Sequence, residues 1–240
     1  MKRIVIGYFI ILAIGFCVAQ ITHGQETTYL SNLGQASTGS ESVGDDSWLA
    51  AVFVTGSNIA GYSINSIQLA MTDASGNPSD FSIMIYANSN PGGLSPGLSL
   101  GILNGSLNPA TSGIYTYTPA SNLMLLPQEP YFIVLTAGTS VANGAYEWSR
   151  VGGNSYNSNG GWSSKAGGIW SSINGLSWPR PTSGYFQFAI NATPVPEPSA
   201  WSLIMFGSGL FVYARTRFRH TDSSRWRKHV AISRTPTRAR

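Results

Sequence analysis

Residues 81–86 read Phe-Ser-Ile-Met-Ile-Tyr, and residues 185–191 read Tyr-Phe-Gln-Phe-Ala-Ile-Asn. In an extended chain successive side chains point to opposite faces. Phe81, Ile83 and Ile85 therefore share one face, with Ser82, Met84 and Tyr86 on the other; in the second stretch Phe186, Phe188 and Ile190 share a face. The same short-period pattern recurs at 48–54, 62–71, 99–103, 114–118, 131–137 and 146–151, and no helical period competes with it between residues 25 and 194. Residues 131–135 are apolar without a break, as expected of a strand covered on both sides. Turn chemistry separates the runs: Ser-Gly-Asn-Pro at 75–78, Ser-Asn-Pro-Gly-Gly at 89–93 and Asn-Pro-Ala-Thr-Ser-Gly at 108–113. Many short strands between turns specify an all-β fold, and an antiparallel two-sheet sandwich of jelly-roll type is the expected form for residues 25–194. A chain of this length buries roughly 70% of its unfolded surface, so one core suffices without disulfide or metal.

Composition agrees. Charged residues are 10% of the 240 and aromatic residues 12%, with 27 Gly and 13 Pro. A quarter of an average chain is charged, and disordered chains are aromatic-poor, so neither a coiled coil nor a charge-driven disordered chain fits. The formal net charge of +4 is an average over unlike regions. Residues 26–194 carry three basic against eight acidic side chains, while residues 215–240 carry nine basic against Asp222. The domain itself is acidic, so the overall basicity does not point to nucleic acid.

Two apolar segments bracket the domain. Lys2 and Arg3 precede the uncharged run 4–18, and small residues follow at Ala19 and Gly24. A basic start, an apolar core and a small-residue exit make residues 1–24 a secretory signal peptide, with cleavage after Ala19 or Gly24. Cys17, the single cysteine, lies inside it, so the mature chain has no disulfide framework. At the other end Val195-Pro196-Glu197-Pro198-Ser199 precedes the apolar run 200–214, which Arg215, Arg217 and Arg219 follow. Fifteen helical residues reach about 22 Å, against roughly 30 Å of hydrocarbon, so a transmembrane helix here is a marginal span. Basic residues at both chain ends place the domain between them outside.

The ordered set of Pro196, Glu197, Pro198, a short apolar helix and the arginines at 215, 217 and 219 resembles the PEP-CTERM sorting signal of Gram-negative bacteria. The resemblance covers residues 195–219. It implies an exosortase-type membrane protease as partner, transient anchoring in the inner membrane, and release or transfer at the cell surface. The chain departs from that pattern by continuing through a basic cytoplasmic tail, residues 220–240; the alternative is a retained tail anchor. Within the domain, Trp-Leu-Ala-Ala-Val-Phe-Val-Thr-Gly at 48–56, Tyr62-Ser63-Ile64, residues 66–69, residues 81–86, residues 115–118 and Leu-Pro-Gln-Glu-Pro-Tyr at 126–131 together resemble the choice-of-anchor domains of surface proteins. That resemblance covers roughly residues 45–150 and implies no catalytic residue.

The chemistry that is missing narrows function further. His23, His220 and His229 all fall outside residues 26–194, as does Cys17. A Ser-His-Asp or Cys-His nucleophile and a His/Cys zinc site are thereby excluded from the domain, and no phosphate-binding loop motif is present. Glycoside hydrolysis needs only two carboxylates, and Glu147, between Tyr146 and Trp148, is the most suggestive acid. Asp45-Asp46 and the 73–80 loop hold the oxygen ligands calcium takes, although turns demand the same residues. No cofactor is expected beyond that weak calcium option. The Gly/Ser/Asn-rich segment 152–178 carries Trp162, Trp170 and Trp178, and with Trp148 these are the candidate rings for stacking on a sugar or packing on a partner; the alternative is that the segment's rings lap over one end of the sandwich as core. The sequence thus points to an exported, non-catalytic surface or extracellular-matrix protein. The second reading is a carbohydrate-binding module, with exopolysaccharide as ligand, and the third a two-carboxylate glycoside hydrolase.

Overall fold

The computed structural model describes residues 26–153, 156–164, 168–179 and 181–197. The chain divides into two units, residues 23–196 and a second made of 1–22 with 197–240. Within the second unit only Glu197 is among the described residues. The expected signal helix and the apolar segment 200–214 lie outside them, as do Pro198, Arg215, Arg217, Arg219 and the 220–240 tail. Among the described residues no helix is long and apolar enough to cross a membrane.

The described domain is all-β and antiparallel. Its strands are β1 (Thr27–Ser31), β2 (Gly39–Val43), β3 (Trp48–Val54), β4 (Tyr62–Gly76), β5 (Ser82–Asn88), β6 (Pro96–Asn104) and β7 (Gly113–Pro119). They continue with β8 (Met124–Leu125), β9 (Pro130–Thr136), β10 (Gly144–Val151), β11 (Asn157–Ser158), β12 (Ile169–Ser172), β13 (Tyr185–Phe186) and β14 (Phe188–Pro194). The ladder runs β11-β1-β14-β4-β7-β6-β5-β9-β3-β12, with β2, β8, β10 and β13 joined off that path. β4 is the spine: it pairs with β14 from Tyr62 to Leu69, then with β10 from Met71 to Gly76. The strand expected at 62–71 therefore runs five residues further, through Thr72-Asp73-Ala74-Ser75-Gly76. That extension is polar and is held by backbone pairing, which side-chain patterning does not report. β7 turns the sheet's corner, giving residues 113–117 to β4 and residues 118–119 to β6.

The curl brings both halves onto one core. Phe81, Ile83 and Ile85 are buried with Phe186, Phe188 and Ile190 in the same cluster, as the alternation required. Phe81 meets Tyr146 of β10 edge-on at 5.2 Å. β9 is buried from Tyr131 through Leu135. Its residues 131, 133 and 135 face the main core, while Phe132 and Val134 join a second cluster with Ala50, Val52, Met84 and Trp170. The uninterrupted apolar run in the sequence thus reflects burial on both faces.

One irregular segment closes the seam between the two ends of the ladder. Asn157 and Ser158 pair with β1, and five residues later Ser163 bridges to Val54 at the end of β3. Trp162 enters the core from this crossing, 5.1 Å from the Tyr29 ring of β1 and 5.8 Å from the Phe53 ring of β3, with Tyr62 edge-on at 5.0 Å. Replacing it by alanine removes one large buried ring from three elements at once and is expected to cost about 3–5 kcal/mol in urea unfolding. Trp178, half-buried on the outer cluster, is expected to cost less than about 2 kcal/mol on the same substitution. Equal losses would contradict the seam.

Candidate functional site

The end of the domain from which the chain departs is built by its first and last strands. β1 lies antiparallel to β14, with Thr27 opposite Ala192 and Ser31 opposite Ala189. Glu26 and Val195 consequently sit at the same end of the sheet. Beyond β14 the chain is fastened once more: Val195 donates its N–H to the Gly61 carbonyl (3.0 Å), and Asn58 Nδ2 donates to the Val195 carbonyl (3.0 Å). The receiving turn, residues 58–61, is closed by Gly61 N–H to Asn58 O at 2.8 Å and by Asn58 Nδ2 to Gly61 O at 2.6 Å. Gly61 has φ +82°, and a Cβ there would collide with the Leu125 carbonyl, so the turn requires glycine. Past this fastening Pro196 and Glu197 are exposed. The sequence reading singled out both but missed Asn58, whose Asn-x-x-Gly spacing was the available turn signal.

The four candidate tryptophans do not form a common platform. Trp148 is fully buried, stacked on Phe186 at 3.9 Å, and donates Nε1–H to the Gln187 carbonyl (3.1 Å). Trp162 plugs the seam, and Trp170 is buried on the outer face, edge-on to Phe132 at 5.8 Å. Neither ring's Nε1 has a hydrogen-bond partner in the structure. Trp178 alone is half-exposed, its Nε1–H donated to the Gly175 carbonyl (3.2 Å). Of the two readings the sequence left open for these rings, Trp162 and Trp170 follow the one that packs them as core, and Trp148 is likewise closed to a ligand. The reason is energetic: a segment of Gly, Ser and Asn has little else to bury, and each aromatic ring takes roughly 150–250 Å² out of water.

Several of the acids are engaged by the fold. Glu147 accepts hydrogen bonds from Ser40 Oγ (2.8 Å) and Ser42 Oγ (2.7 Å) of the neighbouring β2. Tyr146 and Trp148 point to the opposite, buried face, so they do not enclose the carboxylate. Glu41 lies across from Trp148 and is 3.1 Å from Arg150 Nε, a contact by charge and distance without directed hydrogen-bond geometry. Asp46 Oδ1 accepts from Val141 N–H (2.9 Å), and Asp73 Oδ1 from Ser112 N–H (2.7 Å). Asp80 Oδ2 accepts from Ser79 Oγ at 3.1 Å. Among the described residues no group of three or more His, Cys, Asp or Glu is placed to hold a metal.

Burial raises several phenols of the domain. It lifts Tyr117 well above the ordinary tyrosine range, reinforced by Tyr115 and Tyr146, and it does the same for Tyr156 against the opposing Ser164 hydrogen bond. Burial also raises Tyr29, with Tyr62 adding to it, and Tyr146, with Asp80 adding to it. A raised folded-state pKa means that the unfolded chain loses these protons first. Stability is then complete below about pH 10 and falls as pH rises beyond it. The urea midpoint is expected to be lower near pH 11 than near pH 9, with fewer phenolates by ultraviolet absorbance in the native than in the unfolded chain. Identical phenolate titrations in the two states would contradict this burial.

No family model matches the chain, and no curated protein matches it in sequence.

Proposed function

We propose that this chain is an exported, non-catalytic surface protein whose sandwich-like, jelly-roll domain is delivered by two apolar segments. The segment at 1–24 directs export. The set formed by Pro196, Glu197, Pro198, the run 200–214 and the arginines at 215, 217 and 219 serves as a sorting signal for a membrane protease of the exosortase type. The observation that carries this reading is the placement of the motif. The chain is fastened at Val195, and Pro196 and Glu197 follow immediately and are exposed. A processing enzyme is thereby offered an open peptide directly beside a folded domain, without having to unravel a strand. The pairing of Thr27 with Ala192 supports the same reading, because it brings Glu26 and Val195, beyond which the two apolar segments lie in sequence, to one end of the sheet.

The domain's chemistry fits a structural or adhesive part in an extracellular matrix. Its sequence lacks histidine and cysteine between residues 26 and 194, and the carboxylates of Asp46, Asp73 and Glu147 accept hydrogen bonds from its strands and turns. Processing is tested in the producing bacterium with Pro196→Ala, Glu197→Ala and Pro198→Ala combined. An antibody to the domain is expected to find the full chain accumulating in the membrane fraction, with the surface-released form lost. Wild-type release from this triple variant would contradict the sorting role.

A further inference from the structure

The exit end of the domain presents apolar side chains to solvent. Ile59, on the turn that receives Val195, is 81% exposed, and Leu126 is 67% exposed. Both are tied to the point of departure. Asn58 and Gly61 flank Ile59 and hydrogen-bond to Val195. The Leu126 carbonyl accepts from Thr55 Oγ1 at 2.6 Å, and its neighbour Leu125 packs its carbonyl against Gly61. Exposed apolar residues scattered singly are ordinary. Leu98 and Leu176 are as exposed elsewhere on the domain, whereas Ile59 and Leu126 lie on the two turns beside the exit.

The sequence fixes what lies within reach of them. From Val195 to Ala200, where the apolar run begins, there are five steps along the chain. Fully extended, they reach about 17 Å. If that run occupies a bilayer, as the proposed sorting signal requires, the exit end stays within that distance of the interface. Charge narrows the kind of lipid. Glu26, Glu129 and Glu197 are exposed at this end. The described residues include one basic side chain, Arg150, and it is paired with Glu41. These three carboxylates are repelled by anionic headgroups, and insertion of apolar tips into a zwitterionic interface is the contact this end supports.

We infer that the exit end docks on the bilayer while the apolar segment is retained, with Ile59 and Leu126 inserted at headgroup level. This rests on the membrane-anchored reading above.

The test uses the full chain with Cys17→Ser, so that a single introduced cysteine can carry a fluorophore. Three labelled variants are compared: Ile59→Cys, Leu126→Cys, and Asn77→Cys, an exposed position just past the far end of β4. Each is reconstituted into phosphatidylcholine vesicles doped with headgroup-spin-labelled lipid. Labels at 59 and 126 are expected to be quenched by the lipid nitroxide and shielded from aqueous iodide, with the label at 77 showing the reverse. If the chain floats with vesicles but all three labels meet iodide equally, docking is overturned and the anchor stands. If the chain does not associate with vesicles, both are overturned.

Discussion

Everything about the domain's placement depends on one pairing, that of its first strand with its last. β1 and β14 form a short antiparallel ladder from Thr27–Ala192 to Ser31–Ala189. Such a ladder closes a loop of more than 150 residues, and loop-closure cost grows only slowly with length. In return both ends of the folded unit come to a single end of the sheet. The Val195–Gly61 and Asn58–Val195 hydrogen bonds then extend the fastening past the strand itself. A pull on the C-terminal side loads this ladder and turn before it reaches the core.

The seam supports that arrangement. The ladder's two ends, near β1 and β3, are joined by residues 157–163, and Trp162 lies between Tyr29 and Phe53. The indole contributes area and ring contact rather than hydrogen bonding, since its Nε1 has no partner. Polar order is concentrated elsewhere. Asn32 bonds to both sides of Gln187 in β13–β14, accepting from Phe188 N–H (2.9 Å) and donating to Phe186 O (2.9 Å). Gln187 in turn accepts from Ser149 and donates to Gln35 O (2.8 Å). These buried groups are satisfied in concert and fix where β14 begins, which apolar packing alone would leave free to slip.

The sequence was most legible where side chains alternate against the core. The strand expected at 48–54 coincides with β3, and Phe81, Ile83, Ile85, Phe186, Phe188 and Ile190 are all buried together. It was least legible where backbone pairing acts without apolar side chains. β2, Gly-Ser-Glu-Ser-Val, has one buried residue, Val43, and is specified by its ladder to β10 and by the serine hydroxyls on Glu147. The 152–178 segment left two readings open for a related reason, rings held out for a ligand or rings packed as core. Its composition is that of a solvated loop, and only the tertiary structure shows Trp162 and Trp170 turned inward. The exit site was partly readable: Pro196 and Glu197 stood out by motif, whereas the turn at 58–61 that fastens Val195 is visible only once β4 and β14 are paired.

The central claim is that this domain reaches its place by means of two apolar segments that it does not keep. Intact-mass measurement of the protein recovered from the surface of the producing cell tests it most directly. The account predicts a chain that begins at Gln20 or Gln25 and ends near Pro198, with the 200–214 run and the basic tail gone. A surface form that retains residues through Arg240 would contradict it.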